Sequence, residues 1–410
     1  MPPRKPRIAL VTGGLALGGS TTFLVNFAGE LQRRGIPVVV LSFERENPMA
    51  SDFKKLEVEV LTLDQRRMIF EDRLERTLER LAEFQPTTVI ATLGAVSFEI
   101  LRYVPKEVFR AGMGQSDDPI VYEMMRHYAA YMDCCAMVSQ IMKEKAGAMP
   151  EFAGTAVAYL PYGVPMCADV DLPARDFNSP LRILYLGRLD HEQKRVRLFP
   201  EIFRQLRESG MRFHWTIAGS GGEREFLESN LRPVSPGQNV SFTGAVNYAD
   251  VPALLKTHDV FLLASDYEGL PLSLLEAMGQ GLVPVVSDLA SGIREVVDDT
   301  NGLRVPVQDT VGYARAIIQL NGNRGELAAK SAAARERVKK HFSVSAMTDR
   351  WLAAIGRPSV PPAVWSKGWR IQAPLTATKK IYYSPPVRML RRLRMNFSAR
   401  TLEEKQAVEA

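Results

Sequence analysis

SDYEGLPLSLLEAM, residues 265–278, is the stretch that decides the reading of this chain. The run VFLLAS (260–265) that leads into it has the length and apolar content of a buried strand. A short polar loop follows, and Pro271 then opens a helical pattern in the first turn, where its missing N–H costs nothing. Glu268 is expected just before a helix N-terminus, at the carboxyl end of a strand, with Glu276 eight residues on inside the helix. Gly269 permits close approach to the backbone, so the amides of Gly269 and Leu270 can face a polar ligand. Each carboxylate can accept ligand hydroxyls, in hydrogen bonds worth roughly 1.5–3 kcal/mol. The pair alone is a weak signal. A glutamate at a helix start also stabilises the helix dipole, and one inside a helix commonly faces water.

Outward from this segment, strand-length apolar runs alternate with helical patterns. RIALVT (7–12), PVVVLSF (37–43), VEVLTL (58–63), TVIATL (88–93) and CCAMVS (134–139) come first, rich in Val, Ile and Leu. They lack strict alternation, as expected of parallel strands covered on both faces. FLVNFAGELQRRG (23–35) and RMIFEDRLERTLERLAEF (67–84) have helical spacing, the first closing on Gly35. The alternation pauses at 159–180, a stretch with four prolines, and restarts with LRILYLG (181–187), RFHWTIAG (212–219), NVSFTG (239–244) and VPVVSD (283–288). This predicts two doubly wound α/β domains, 1–165 and 181–355, a linker at 166–180 and a basic extension at 356–410. Ligands of such domains bind at the carboxyl ends of the strands.

Composition agrees with a globular protein: 46% of the 410 residues are apolar and 24% charged. Three cysteines give no disulfide framework, and none has metal-ligand spacing to a histidine, so a reduced, cytoplasmic chain is expected. The N-terminus enters a strand without a signal-like apolar region, and no apolar run is long enough to span a bilayer. The net charge of +6 belongs to the tail, since residues 357–402 hold ten Lys or Arg and no Asp or Glu.

In the second domain, GRLDHEQK (187–194) places Arg188 and Lys194 at the end of the first strand. A fork-shaped guanidinium and a compact ammonium suit a diphosphate, although surface charges after a strand are also common. TIAGSGGER (216–224) ends a strand on Gly219, which fits close approach by a nucleobase or phosphate, or an ordinary turn. No Gly-Lys-Ser/Thr follows, so it is not a P-loop. In the first domain, GGLALGGSTTF (13–23) follows a strand and opens a helix that Ser20 or Thr21 can cap. Gly18 and Gly19 would let substrate reach the helix's positive end.

These segments, with VSQIMKEKAG (138–147), PYGVP (161–165), GAV (244–246), SGIREVV (291–297) and NGLRV (301–305), resemble the retaining glycosyltransferases of family 4 in order and spacing over residues 7–355. The resemblance implies the GT-B fold, two Rossmann-like domains facing a cleft. It also implies metal-independent transfer, with retention, from a nucleotide-diphosphate sugar to a glycan or lipid-linked hydroxyl. Glu268 would contact the donor sugar near the reacting carbon, supported by the Gly269 and Leu270 amides, with Pro271 beginning the helix behind them. Glu276 would hold the ribose, and Arg188 and Lys194 would neutralise the departing diphosphate. No cofactor and no metal are expected, and Asp298 and Asp299 are adjacent rather than in an Asp-x-Asp pattern.

Two positions depart from the family. After the fifth strand, where relatives often carry a histidine, this chain reads MGQSDDP (113–119), which makes Gln115 and Asp117 the expected sugar contacts. Lys194 is followed by Arg195 instead of the usual glycine. His127, on a helical stretch beside Tyr128, reads as a packing residue. Other readings of the same fold are a catalytically weak nucleotide-sugar-binding subunit and a nucleotide-sugar epimerase.

In the tail, 387–397 drawn as a helix puts Val387, Met389, Leu390, Leu393 and Phe397 on one side, with Arg388, Arg391 and Arg392 on the other. A basic amphipathic segment within 366–400 fits peripheral binding to an anionic membrane, at the inner face for a cytoplasmic chain. It fits equally an apolar side packed on the first domain. Nucleic acid is not an expected partner, because the body has no basic face and no recognition motif.

Overall fold

In a computed structural model the described residues are 5–44, 47–63, 68–167, 179–232, 239–356, 363–365, 368–377 and 385–392. Most of the linker and much of the tail, including Leu393 and Phe397, lie outside them.

The first domain runs β1 (Ile8–Thr12), α1 (Gly19–Arg33), β2 (Val38–Ser42), α2 (Ala50–Lys55), β3 (Glu59–Thr62), α3 (Phe70–Phe84) and β4 (Thr88–Ala91). It continues with α4 (Ala95–Glu99), β5 (Phe109–Gly114), α5 (Pro119–Tyr128), β6 (Cys134–Met137), α6 (Gln140–Gly147) and β7 (Ala156–Tyr159). The second domain begins β8 (Leu181–Leu186), α7 (Phe199–Glu208), β9 (Phe213–Ala218), α8 (Arg224–Leu231), β10 (Val240–Gly244), α9 (Val251–Lys256) and β11 (Val260–Leu263). It ends with α10 (Leu272–Gly279), β12 (Val283–Ser287), α11 (Gly292–Val296), β13 (Leu303–Val305), α12 (Thr310–Gly322), α13 (Arg324–His341) and α14 (Val344–Ile355).

The sheets are ordered β3-β2-β1-β4-β5-β6-β7 and β10-β9-β8-β11-β12-β13, with parallel pairing throughout both. Every residue of β1, β2 and β12 is buried, because helices cover both faces, which is why these strands are continuous apolar runs. The order in which strands are added reverses between β1 and β4 in one sheet and between β8 and β11 in the other. These switch points place the 13–19 loop, the 187–195 loop and the 264–271 loop at the carboxyl ends of their sheets.

Gly35 closes the first helix at φ 67°, as its position predicts. Two local expectations are corrected. Helix α1 already includes Ser20 and Thr21, its cap position is Gly18, and no side chain caps it. Pro271 is the cap residue of α10, one place before its first turn.

The second domain hands its last helix back to the first, which the boundary at 355 does not anticipate. Val164 and Ser343 form a parallel bridge where the chain crosses between domains. Beyond it α14 lies on α1, with Trp351 5.6 Å from Phe27 and 6.4 Å from Phe23 between ring centres. Arg34 reaches across to Asp349 at 2.5 Å.

The tail also lies on the first domain. The Leu375 amide donates to buried Glu99 (3.2 Å), and Arg102 donates to the Ala373 carbonyl (3.1 Å). A helix over 385–392 then meets the start of α3. Arg388 pairs with Glu75 (2.7 Å), Arg392 with Asp72 and Arg391 with Glu71. Neither sequence-based orientation of this helix describes it. Its cations face the protein, while Met389 and Leu390 are 66% and 65% exposed.

Candidate functional site

Glu268 is 6% exposed and fully engaged. Its Oε1 accepts from Lys194 Nζ at 2.5 Å and from Ser265 Oγ at 2.7 Å, and Gln193 Nε2 lies 3.4 Å from its Oε2. The loop that brings Lys194 here is shaped by Asp190, whose Oδ1 accepts the amides of Gln193 (2.8 Å) and Lys194 (3.0 Å). Two strand ends on either side of the β8/β11 switch point therefore deliver one carboxylate and one ammonium to the same spot. Arg188 is 68% exposed, linked to Gln193 Oε1 (2.6 Å) and Asp190 (3.4 Å), and free to turn toward an arriving anion. Among the described residues the Gly269 and Leu270 amides donate to no protein acceptor.

Glu276 is half-buried on α10, and burial alone pushes its carboxyl up to about 8. Among the described residues no cation pairs with it. Tyr248, after β10, lies close enough to feel both Glu276 and Asp52. Its hydroxyl donates across the cleft to Asn26 of α1 at 2.6 Å. A cavity of about 250 Å³ opens beside it, with Leu17, Asp52 and Lys55 on one wall and Asn247 and Asp250 on the other.

The two domains touch directly at the centre of the site. A Cβ on Gly269 would lie 2.8 Å from the Gln115 carbonyl and 3.2 Å from Ser116 Cα, so this glycine is dictated by the approach of the first domain. A Cβ on Gly19 would lie 3.5 Å from Leu272 Cβ of the second domain, and one on Gly18 would meet open space. Gly219 has a different reason to be glycine: at φ 141° a Cβ would collide with the Gly187 carbonyl of the neighbouring strand end. Its smallness serves the packing of the two loops.

Gln115 sits against this centre with its side-chain carbonyl buried and unpartnered. Asp117 does not share its position. Its oxygens are engaged by Tyr122 (2.7 Å) and Lys145 (2.6 Å), so it braces the loop. His127 is another correction, being half-exposed beside Glu123 at 3.3 Å instead of packed. Sequence reasoning missed Tyr162, the second residue of PYGVP. Its buried hydroxyl reaches Ser20 and Gln115 and feels the charge of Glu268, and burial pushes it well above its ordinary value. An aromatic in a proline-rich loop carries no local sign of this; it is set by the meeting of three loops distant in sequence.

This architecture of two parallel-sheet domains facing a cleft is the GT-B fold. It superposes on a mutant of S. aureus TarM, solved with fondaparinux, alpha-GlcNAc-glycerol and UDP. The TM-score is 0.71 at 13% identity, covering 85% of this chain and 99% of that one. Residues 180–323 match the family described as "Glycosyl transferases group 1". The chain is 36% identical over 191 residues to the putative colanic acid biosynthesis glycosyltransferase WcaL of Escherichia coli (strain K12), 44% of this chain and 46% of the relative. It is 30% identical over 183 residues to an alpha-1,4-N-acetyl-D-galactosaminyltransferase of Campylobacter jejuni named for an undecaprenol-linked saccharide, 44% of this chain and 49% of the relative. The matched part thus spans about half the length of these curated relatives.

Proposed function

We propose that the protein is a retaining, family 4 glycosyltransferase that moves a sugar from a nucleotide-diphosphate sugar to a hydroxyl of a glycan or lipid-linked acceptor. The observation that carries this reading is the buried Glu268–Lys194 pair, set at two strand ends against the first domain. A diphosphate entering beside Arg188 draws Lys194 away from Glu268, because two phosphate charges outweigh one carboxylate. Glu268 is then left to accept hydroxyls of the donor sugar. The Gly269 and Leu270 amides face the same group, and Glu276 accepts from the ribose. Gln115, with Tyr162 and Ser20 behind it, supplies the neutral polar contact from the first domain.

In the reaction the bond from the sugar's anomeric carbon to the diphosphate breaks, and the acceptor oxygen bonds that carbon on the same face and loses its proton. Lys194 and Arg188 hold the charge that collects on the leaving diphosphate. No metal is needed for that neutralisation.

Among the described residues no helix is long and apolar enough to cross a membrane. We place the protein at the cytoplasmic face of a membrane, with the exposed Met389 and Leu390 side of the tail touching lipid. A relative named for an undecaprenol-linked substrate supports a membrane-bound acceptor.

The test has two parts. A thermal-shift screen of UDP-, GDP- and ADP-sugars should find one that stabilises the protein, by about 2.7 kcal/mol at 100 times its dissociation constant. With that donor, Lys194→Ala and Glu268→Ala should each lose about a hundredfold or more in turnover while staying folded. Full turnover in both variants would sink the site.

A further inference from the structure

The N-terminus of α6 is completed by the other domain. Ser139 Oγ accepts the Met142 amide, which leaves the first two amides of the helix to be satisfied elsewhere. Gln140 N finds Glu295 of α11, 2.6 Å from its Oε1, and the Ile141 amide and the Tyr159 hydroxyl of edge strand β7 lie beside the same carboxylate. One carboxylate of the second domain thus meets both the start of α6 and the edge strand of the first.

The other end of α11 is tied to the donor loop. The Gly292 amide, the first of the helix, donates to the Gly269 carbonyl at 2.8 Å, and a Cβ on Gly292 would press on Leu270. With only five residues, α11 has little room to absorb a shift of loop 268–270. Gly269 is thus linked to Glu295, and so to the first domain, through a single helical turn.

We infer that Glu295 is a positioning residue that couples occupancy of the donor loop to closure of the first domain over the cleft. It touches no reacting atom. Its effect on turnover rests on the transfer reading above, whereas its effect on closure does not.

The experiment uses the full chain and compares wild type with Glu295→Ala and Glu295→Gln. Hydrogen exchange at the Gln140 and Ile141 amides is followed alone and with whichever of UDP, GDP or ADP raises the wild-type melting temperature. In Glu295→Ala those amides should exchange about tenfold to a hundredfold faster, the equivalent of a lost charged hydrogen bond. The nucleotide should slow their exchange in wild type and fail to do so in the variant. With a donor sugar, kcat should fall by a similar factor while the donor KM stays within about threefold, since no contact to the nucleotide is removed. Glu295→Gln, which keeps one acceptor oxygen, should lie between. A purely static brace would leave the nucleotide effect intact in Glu295→Ala, and that result overturns the coupling, as does unchanged exchange in the ligand-free variant. If wild type transfers no sugar, the transfer reading fails, and the exchange measurement still decides the role of Glu295.

Discussion

Glu276 shows at the scale of one residue what a buried carboxyl costs a fold. Its carboxyl is raised to about 8 against an ordinary 4.5, so the folded protein resists an ionisation that the unfolded chain undergoes freely. The penalty is absent below pH 4.5, grows as pH rises and is complete above pH 8. Glu276→Gln should therefore melt higher than wild type at pH 8, by about 2–4 °C for each kcal/mol relieved, and at the same temperature at pH 4. Its affinity for the nucleotide should fall. Calorimetry at the two pH values, with and without nucleotide, checks both halves. Arg195 makes the complementary case. It holds φ 51°, a left-handed conformation that costs a side chain about 1 kcal/mol. The pairing of its guanidinium with Asp266 offsets that cost and ties the Lys194 loop to the Glu268 loop. Glu268 and Lys194 are legible in the sequence because each follows a recognisable strand end, and Glu276 because it lies eight residues on inside a patterned helix. The bracing role of Asp117 is not legible, since nothing local announces that Tyr122 and Lys145 engage its oxygens.

Elements were legible where burial acts locally. Most strands covered on both faces stand out as apolar runs, but β5, FRAGMG, does not, although it lies between β4 and β6. Short, partly exposed β7, which lies at the sheet edge, does not. The tail helix is the instructive intermediate. Its amphipathic spacing is plain, but a helical period says only that two faces differ and never which one meets the protein. Glu71, Asp72 and Glu75, some three hundred residues earlier, decide that the cations turn inward. Glu71 is 1% exposed, which makes its pair with Arg391 the protected centre of the contact. The flanking pairs are more exposed and salt-sensitive, because the Debye length falls to about 3 Å at 1 M. Asp72→Ala combined with Glu75→Ala should raise the rate of tryptic cleavage after Arg388 and Arg392 by about tenfold, and 1 M NaCl should do the same to wild type. Unchanged digestion would mean that the helix is held by something other than these pairs.

At the scale of the whole molecule, the candidate site is built where the two domains meet. Gly269 against Gln115, Tyr248 with Asn26 and Glu295 with α6 are three contacts that single-domain reasoning has no means to anticipate. Gly269→Ala inserts a methyl group into the central one. It should leave nucleotide affinity of the second domain within about threefold and lower kcat by about tenfold to a hundredfold, the scale expected for a misplacement of under 1 Å. Nucleotide titration and steady-state kinetics separate the two effects. The return of α14 to the first domain has a consequence for biosynthesis. On the ribosome, α1 emerges with Phe23 and Phe27 facing outward, and Trp351, which covers them, is made some 320 residues later. At about 5–20 residues per second that leaves an aromatic surface bare for roughly 15–65 s. For that interval the nascent first domain is a natural client for a chaperone, and its outermost layer can be laid down only once the second domain has been made.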